Sequence, residues 1–343
     1  MSAVLRRLEA ARVGPWALAL VVLCLAIAAL GIGQFPATPG QIVRVLGAWL
    51  LGGSAQVPDV VSTVVLQVRL PRIVAGVVVG AALAAAGAAY QGLFRNPLVS
   101  PDILGVSAGA GLGAVLGIFL SLPVLGIQLL AFVFGIGTVG LVYLIASAVR
   151  GREPVLVLVL AGVVLGTLAG SIISLLKVLA DPYDQLPAIT FWLLGSLASV
   201  TPGDVTSAVP LVLVGLVPLH LLRWRMNLMA QGDEEAMALG VDARRLRLLF
   251  VAAATLMTAA VVAISGIIGW VGLIMPHVAR MLVGPNFDRL LPSAMLLGAG
   301  YLLIVDTLAR TIAATEVPLG ILTAFLGAPF FLWLLARGRE GWR

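Results

Sequence analysis

Residues 154–178 read PVLVLVLAGVVLGTLAGSIISLLKV, and Lys177 is the single charge among them. A helix over this stretch rises about 37 Å, enough to cross a hydrocarbon core of about 30 Å. The stretch therefore reads as a membrane-spanning helix. Runs of the same kind recur at about 16–35, 66–92, 103–120, 124–148, 204–222, 247–266, 268–283, 291–313 and 318–336. Together they predict an all-α, polytopic membrane protein with about ten spans. Gly and Pro mark the joints, as at Asn96-Pro97, Ser100-Pro101, Glu153-Pro154, Thr201-Pro202-Gly203 and Gly284-Pro285.

Composition agrees. Of 343 residues 61% are hydrophobic and 10% charged, where a soluble domain carries about a quarter charged residues. The net charge is +6, but no basic run with interleaved aromatics exists, so nucleic acid is not an expected partner. Cys24 is the single cysteine and His220 and His277 stand far apart, which leaves no intrachain disulfide and no metal-ligand spacing. Lys177 follows Ser174-Leu175-Leu176 rather than a glycine, so a Walker A loop is excluded. Arg6, Arg7 and Arg12 precede an apolar run that is longer than a usual signal-peptide core, and a retained first helix is expected over a cleaved signal at Ala26-Ile27-Ala28.

Charge distribution orients the chain. With the N-terminus inside, the inner segments hold Arg6, Arg7, Arg12, Arg95, Arg150, Arg152, Arg223, Arg225, Arg244, Arg245, Arg247, Arg280, Arg289, Arg337, Arg339 and Arg343. The outer side keeps Arg44, Arg69, Arg72, Lys177 and Arg310. Positive charge gathers on cytoplasmic loops, so both termini are expected in the cytoplasm. The same parity makes residues 188–200, AITFWLLGSLASV, a half-helix. A helix of that length rises only about 20 Å, and the basic segments on either side already have an even number of crossings between them.

Small residues recur at four-residue spacing in Gly76-Gly80-Ala84-Ala88, Gly109-Gly113-Gly117 and Gly162-Gly166-Gly170, which suits close helix packing more than ligand contact. The most polar internal segment is 232–247, GDEEAMALGVDARRLR. Asp233 can cap a short helix with Glu234 and Glu235 in its first turn, Gly240 can stop it, and Asp242 can cap an arginine-rich helix. Composition alone leaves this as either a rigid knob below the membrane or a solvated loop.

The chain resembles the FecCD family of ABC importer permeases, from about Gln67 to Leu335. The resemblance rests on RLPR at 69–72, FRNPLVSPDILGVSAGAGLG at 94–113, LAGVVLG at 160–166, FWLLGSL at 191–197 and GDEEAMALGV at 232–241. It is densest in GIIGWVGLIMPHVAR at 266–280, LLPSAMLLGAGYLLIVDTLAR at 290–310 and EVPLGILTAFLGAPFFLWLL at 316–335.

The resemblance implies a single permease domain over 1–343 in a bacterial inner membrane. Two copies would pair and work with two ATPase subunits and a periplasmic or lipid-anchored binding protein. No cofactor is expected in this chain, since ATP and Mg would sit on the ATPase, and the permease itself would not be an enzyme. The implied cargo is an iron-siderophore, haem, cobalamin or related metal compound, with molybdate-type oxyanions also carried in the family. Coupling helices within about 225–247 would dock on the ATPase through Gly232, Asp233, Glu234, Glu235, Ala236, Leu239 and Gly240. Arg69, Arg72 and Arg310 would face outward and meet acids of the binding protein, although Arg310 can also pair with Asp306 four residues earlier. Asn96 and Leu98 match a cytoplasmic gate. A second gate before LAGV is not carried over, because Glu153-Pro154-Val155-Leu156 lacks the hydroxyl residues of the vitamin B12 permease. Gly162, Gly166, Phe191 and Trp192 are candidate pathway residues on the 154–178 helix and the half-helix. The competing expectation is an ion-coupled secondary transporter, for which Asp306 is the one acid well inside a span.

Overall fold

The computed structural model describes residues 14–33, 35, 37–53, 56–149 and 154–337. Arg6, Arg7, Arg12, Arg150, Arg152, Glu153, Arg339 and Arg343, used in the orientation and gate arguments, lie outside the described residues. Among those described there are fourteen helices and no strand. They are α1 Pro15–Gly31, α2 Pro39–Leu51, α3 Asp59–Leu93, α4 Val106–Phe119, α5 Val124–Ala148, α6 Pro154–Leu179 and α7 Gln185–Leu194. Next come α8 Pro202–Leu221, α9 Arg223–Met229, α10 Asp233–Ala238, α11 Ala243–Ser265, α12 Val271–Val283, α13 Phe287–Ala309 and α14 Leu319–Arg337.

Six helices (α3, α5, α6, α8, α11 and α13) are long and apolar enough to cross a membrane by themselves, and α1, α4, α7, α12 and α14 are shorter apolar helices. The protein is thus a multi-pass helical membrane protein. Burial divides the long helices. The most apolar windows of α3, α11 and α13 are 78%, 72% and 61% buried, against 22% in each of α5, α6 and α8. The first three form the centre, and the others turn leucine and valine outward.

Close packing at the centre needs missing side chains. A Cβ at Gly80 of α3 would strike the Gly298 carbonyl of α13, and one at Gly298 would strike the Gly80 carbonyl. The glycine stripe of α4 serves the same purpose, because Gly109, Gly113 and Gly117 each lie directly on α5. The third stripe packs only at Gly162, against the Ile103 carbonyl, and Gly170 faces open space.

Caps explain where several helices start. Asp242 accepts a hydrogen bond from the Arg245 amide, so α11 begins four residues before the predicted start at 247. Asn286 accepts from the Asp288 amide and starts α13 at Phe287 rather than 291. The helix α2 was not anticipated, and it opens with a reciprocal capping box between Thr38 and Gln41. Helix α3 also begins earlier than the predicted 66. Its first turns run through a π-helical turn at Val64–Arg69, where one extra residue is held in the coil.

Candidate functional site

The two ends of the bundle carry different polar clusters. One end gathers Arg69 and Arg72 from α3, Arg310 just past α13, and the loop after α1. Helix α1 exposes its last carbonyls, which have no partner within the helix and favour cations. Arg69 fills this need by donating from Nη1 to the Leu30 carbonyl at 2.6 Å and from Nη2 to the Phe35 carbonyl at 2.5 Å. Arg310 does likewise from Nη1 to Ile32 at 2.5 Å and from Nη2 to Ala29 at 2.8 Å. Gly33 allows this approach, since a Cβ there would lie 2.8 Å from Arg69 Nη2. Arg72 Nε meets Asp306 Oδ1 at 2.8 Å, and its Nη1 meets Glu316 Oε1 at 2.7 Å. Asp306 Oδ2 also lies 3.4 Å from Arg310 Nε, the pair foreseen along one helix face.

Arg69, Arg72 and Arg310 are only 5%, 6% and 7% exposed. The expected outward reach of these side chains is therefore not what the fold builds. A guanidinium at a span end can snorkel to water, but here carbonyls and carboxylates of neighbouring segments take its hydrogen bonds. Glu316 was missed as a partner.

The other end, called the coupling end after the role expected of it, carries segment 232–247. Helix α9 leads to α10, and a turn leads from α10 to α11. Gly240 has φ +81°, the Gly240 amide donates to the Met237 carbonyl, and the Val241 amide donates to the Ala236 carbonyl. This is a Schellman stop, which favours glycine. Asp233 does not cap α10, because Gly232 holds that position and Asp233 is the first helical residue. Its carboxylate instead binds Arg247 of α11 at 2.8 Å. The seven residues expected to couple therefore divide. Gly232 and Ala236 are buried and Asp233 is tied inward, whereas Glu234, Glu235, Leu239 and Gly240 are exposed, together with Met237. Nearby, Arg223 Nε binds Asp288 at 2.9 Å and Asn227 accepts from the Phe287 amide at 2.7 Å, which ties α9 to the start of α13.

Between these ends lies the candidate pathway. The short apolar segment forms helix over Gln185–Leu194 rather than 188–200. It stops at Gly195, whose φ is +71° and where a Cβ would strike the Ile267 carbonyl. Both flanks are tied to one connection. Gln185 donates to the Phe119 carbonyl at 3.0 Å, and Gln128 donates to Asp204 at 2.7 Å. Phe119 and Gln128 lie on either side of the α4–α5 turn, so both flanks of α7 reach that one turn. The Leu319 amide donates to Gly195 and the Ser196 amide to Ser265, which brings the ends of α7, α11 and α14 together. An apolar cleft of about 650 Å³ opens there, with Leu193, Leu194, Ile267, Trp270, Ile321 and Phe325 in its wall. Trp270 holds φ +71° and stacks edge-on against Phe331, a feature the sequence did not announce.

Phe191 is 63% exposed, but Trp192 packs inward beside Ala131 and Val262. Asn96 and Leu98 are exposed near the coupling end, and the Asn96 side chain accepts from the Leu98 amide at 2.9 Å. Gly162 packs on Ile103 in the connection from α3 to α4, which also carries Asn96 and Leu98, whereas Gly166 has Ala108 Cβ at 3.9 Å as its nearest neighbour. The structure thus separates Asn96, Leu98 and Gly162, toward the coupling end, from Phe191 on α7.

The family model described as the FecCD transport family matches residues 19–337. The molybdate import system permease protein of Haemophilus influenzae is 41% identical over 325 residues, covering 94% of this chain and 95% of that protein. The cobalamin import system permease protein of Halobacterium salinarum is 46% identical over 285 residues, covering 83% of this chain and 76% of that protein. A solved metal-chelate type ABC transporter in an inward-facing conformation superposes with TM-score 0.84 at 40% identity, covering 94% of this chain and 98% of that one.

Proposed function

The chain belongs to the FecCD transport family, and on that premise we propose that two copies form the membrane pathway of an ABC importer for a metal chelate or related metal compound. It is a permease subunit of the inner membrane, a transport protein rather than an enzyme. The observation that carries the reading is the exposed edge of α10, with Glu234, Met237 and Leu239 on a rigid, glycine-stopped turn beneath the bundle. Such an edge suits docking to an ATPase, which supplies ATP and Mg chemistry that this chain lacks a Walker A loop to perform.

In this reading the α10 end and both termini are cytoplasmic, the ten longer apolar helices other than α7 cross the membrane within a single domain, and the arginine end faces out. The re-entrant α7 and α14 line the pathway with Phe191 and Phe325, and Asn96 with Leu98 forms a gate below. The cleft wall is apolar, so a binding protein must supply most of the affinity for cargo. Arg69, Arg72 and Arg310 act on that protein through their field: three guanidiniums against Asp306 and Glu316 leave one net positive charge, which attracts acids over a distance.

The ion-coupled alternative has no support. Asp306 is held by Arg72 and Arg310 rather than free to exchange an ion. The deciding experiment reconstitutes the chain with its ATPase and binding protein and measures ATP-dependent uptake. Uptake that persists without the ATPase but collapses with the ion gradient would reverse the assignment. Cargo is identified by native mass spectrometry of the binding protein. The re-entrant reading is checked with Ala188→Cys and Val200→Cys in a Cys24→Ala background. Labelling of Val200→Cys only from the cytoplasm would make α7 part of a crossing.

A further inference from the structure

Helix α2 is too short to cross a membrane, since its thirteen residues rise only about 20 Å, and it lies at the arginine end. One side is accounted for. Ile42 and Val45 are buried against Ala29, Leu30, Val61 and Val65, so the helix is docked firmly on α1 and the start of α3. The rest is unusual for a surface facing water. Val43 is 69% exposed, Trp49 59%, Leu50 74% and Leu51 88%. Val43 and Leu50 are seven residues apart and share one flank. Arg44 points away from the buried side, and among the described residues its one hydrogen bond, from Nε to the Gly40 carbonyl at 3.3 Å, does not use the terminal nitrogens.

The helix that α2 rests on is apolar on its exposed side as well. Helix α1, on which α2 rests, exposes Leu20, Val21, Leu23 and Ile27. A short amphipathic helix beside a lipid-facing span, with a tryptophan at its edge and a lone arginine on its outer side, matches the chemistry of a bilayer interface. A partner protein of complementary charge has little to bind, because Arg44 is the only charged residue on the helix.

We propose that α2 lies in the membrane interface as an anchor, with Val43 and Leu50 in the acyl boundary, Trp49 at headgroup level and the Arg44 guanidinium on a lipid phosphate. It would thereby fix the height of the arginine end relative to the bilayer. Only the choice of leaflet rests on the proposed orientation.

The test uses nitroxide labels on the full-length protein in anionic phospholipid vesicles, in a Cys24→Ala background, at Val43→Cys and Leu50→Cys with Gly40→Cys as a control. Oxygen should relax the labels at 43 and 50 more strongly than a water-soluble nickel chelate, and the order should reverse at 40. Arg44→Glu should move the label at 50 toward water. Nickel-dominated relaxation at 43 and 50 would overturn the anchor. So would immobile labels closed to both reagents, which would place a second copy or another protein on this face. An unchanged depth in Arg44→Glu would remove the phosphate contact. Reduction by external ascorbate reports the leaflet separately, so an error in orientation is distinguishable from an error in placement.

Discussion

The two ends of the bundle are both rich in charge, yet they use it in opposite ways. At the arginine end, three guanidiniums are buried and engaged with carbonyls and carboxylates of the same subunit. At the coupling end, one acid is bound inward by Arg247, while Glu234, Glu235 and the adjacent Met237 and Leu239 stand in the open. Charge buried among partners holds elements together, whereas charge left in the open is available to another molecule. The same residue types in sequence therefore divide into inward-bound and open groups by where their partners lie.

The contrast breaks most sharply at Asp306. Asp306→Ala leaves Arg72 and Arg310 buried with their shared partner gone, and losing one member of a buried ion pair costs about 3–5 kcal/mol. The expected result is a large fall in the thermal unfolding midpoint of purified protein; a midpoint equal to wild type would show that the cluster is not structural. A smaller effect is expected at Gly33. A valine there meets Arg69 and Arg310, and forcing side-chain bulk into a packed site costs about 1–3 kcal/mol. Gly33→Val should lower the midpoint in the same assay, less than Asp306→Ala.

At the coupling end the order of readouts inverts. Gly240→Val places a β-branched residue in the left-handed region, at a local cost of about 1–2 kcal/mol. Uptake and ATPase stimulation should drop while membrane insertion stays normal. Normal coupling in this variant would remove the docking role of the turn. The smallest stability effect is expected for Glu234→Ala and Leu239→Ala, within about 0.5 kcal/mol because both are exposed. Association with the ATPase should still weaken, and the part due to Glu234 should fade in high salt by screening. Equal salt sensitivity in the stability of the arginine end would contradict its burial.

Much of the fold was legible because a long apolar run has few alternatives in a membrane. The segments around α5, α6 and α8 were placed within a few residues for that reason. Helix α2 was not, because Gly40, Arg44 and Gly47 interrupt a run too short to span, and interfacial helices carry no length signature. The stop at Gly195 and the left-handed Trp270 depend on where Ile267 and Phe331 sit, which no local pattern states. The coupling turn was readable from Gly240 and Asp242, since capping is local chemistry. The arginine cluster was located by its residues but misjudged in exposure. Arg72 meets Asp306 across 234 positions and Glu316 across 244, and such partners become neighbours only once the helices have packed.

The π-helical turn at Val64–Arg69 has a genetic consequence. One surplus residue in a coil turns everything before it by about 100° relative to everything after it. Residues 59–63 are aimed by that single insertion, whereas α2 is also held by α1, and Arg72 and the rest of α3 are aimed by the bundle. Removing one codon within 64–68 would restore regular winding and turn residues 59–63 about the axis of α3, away from Ile42 and Val45 of α2, without touching the frame of the central helices.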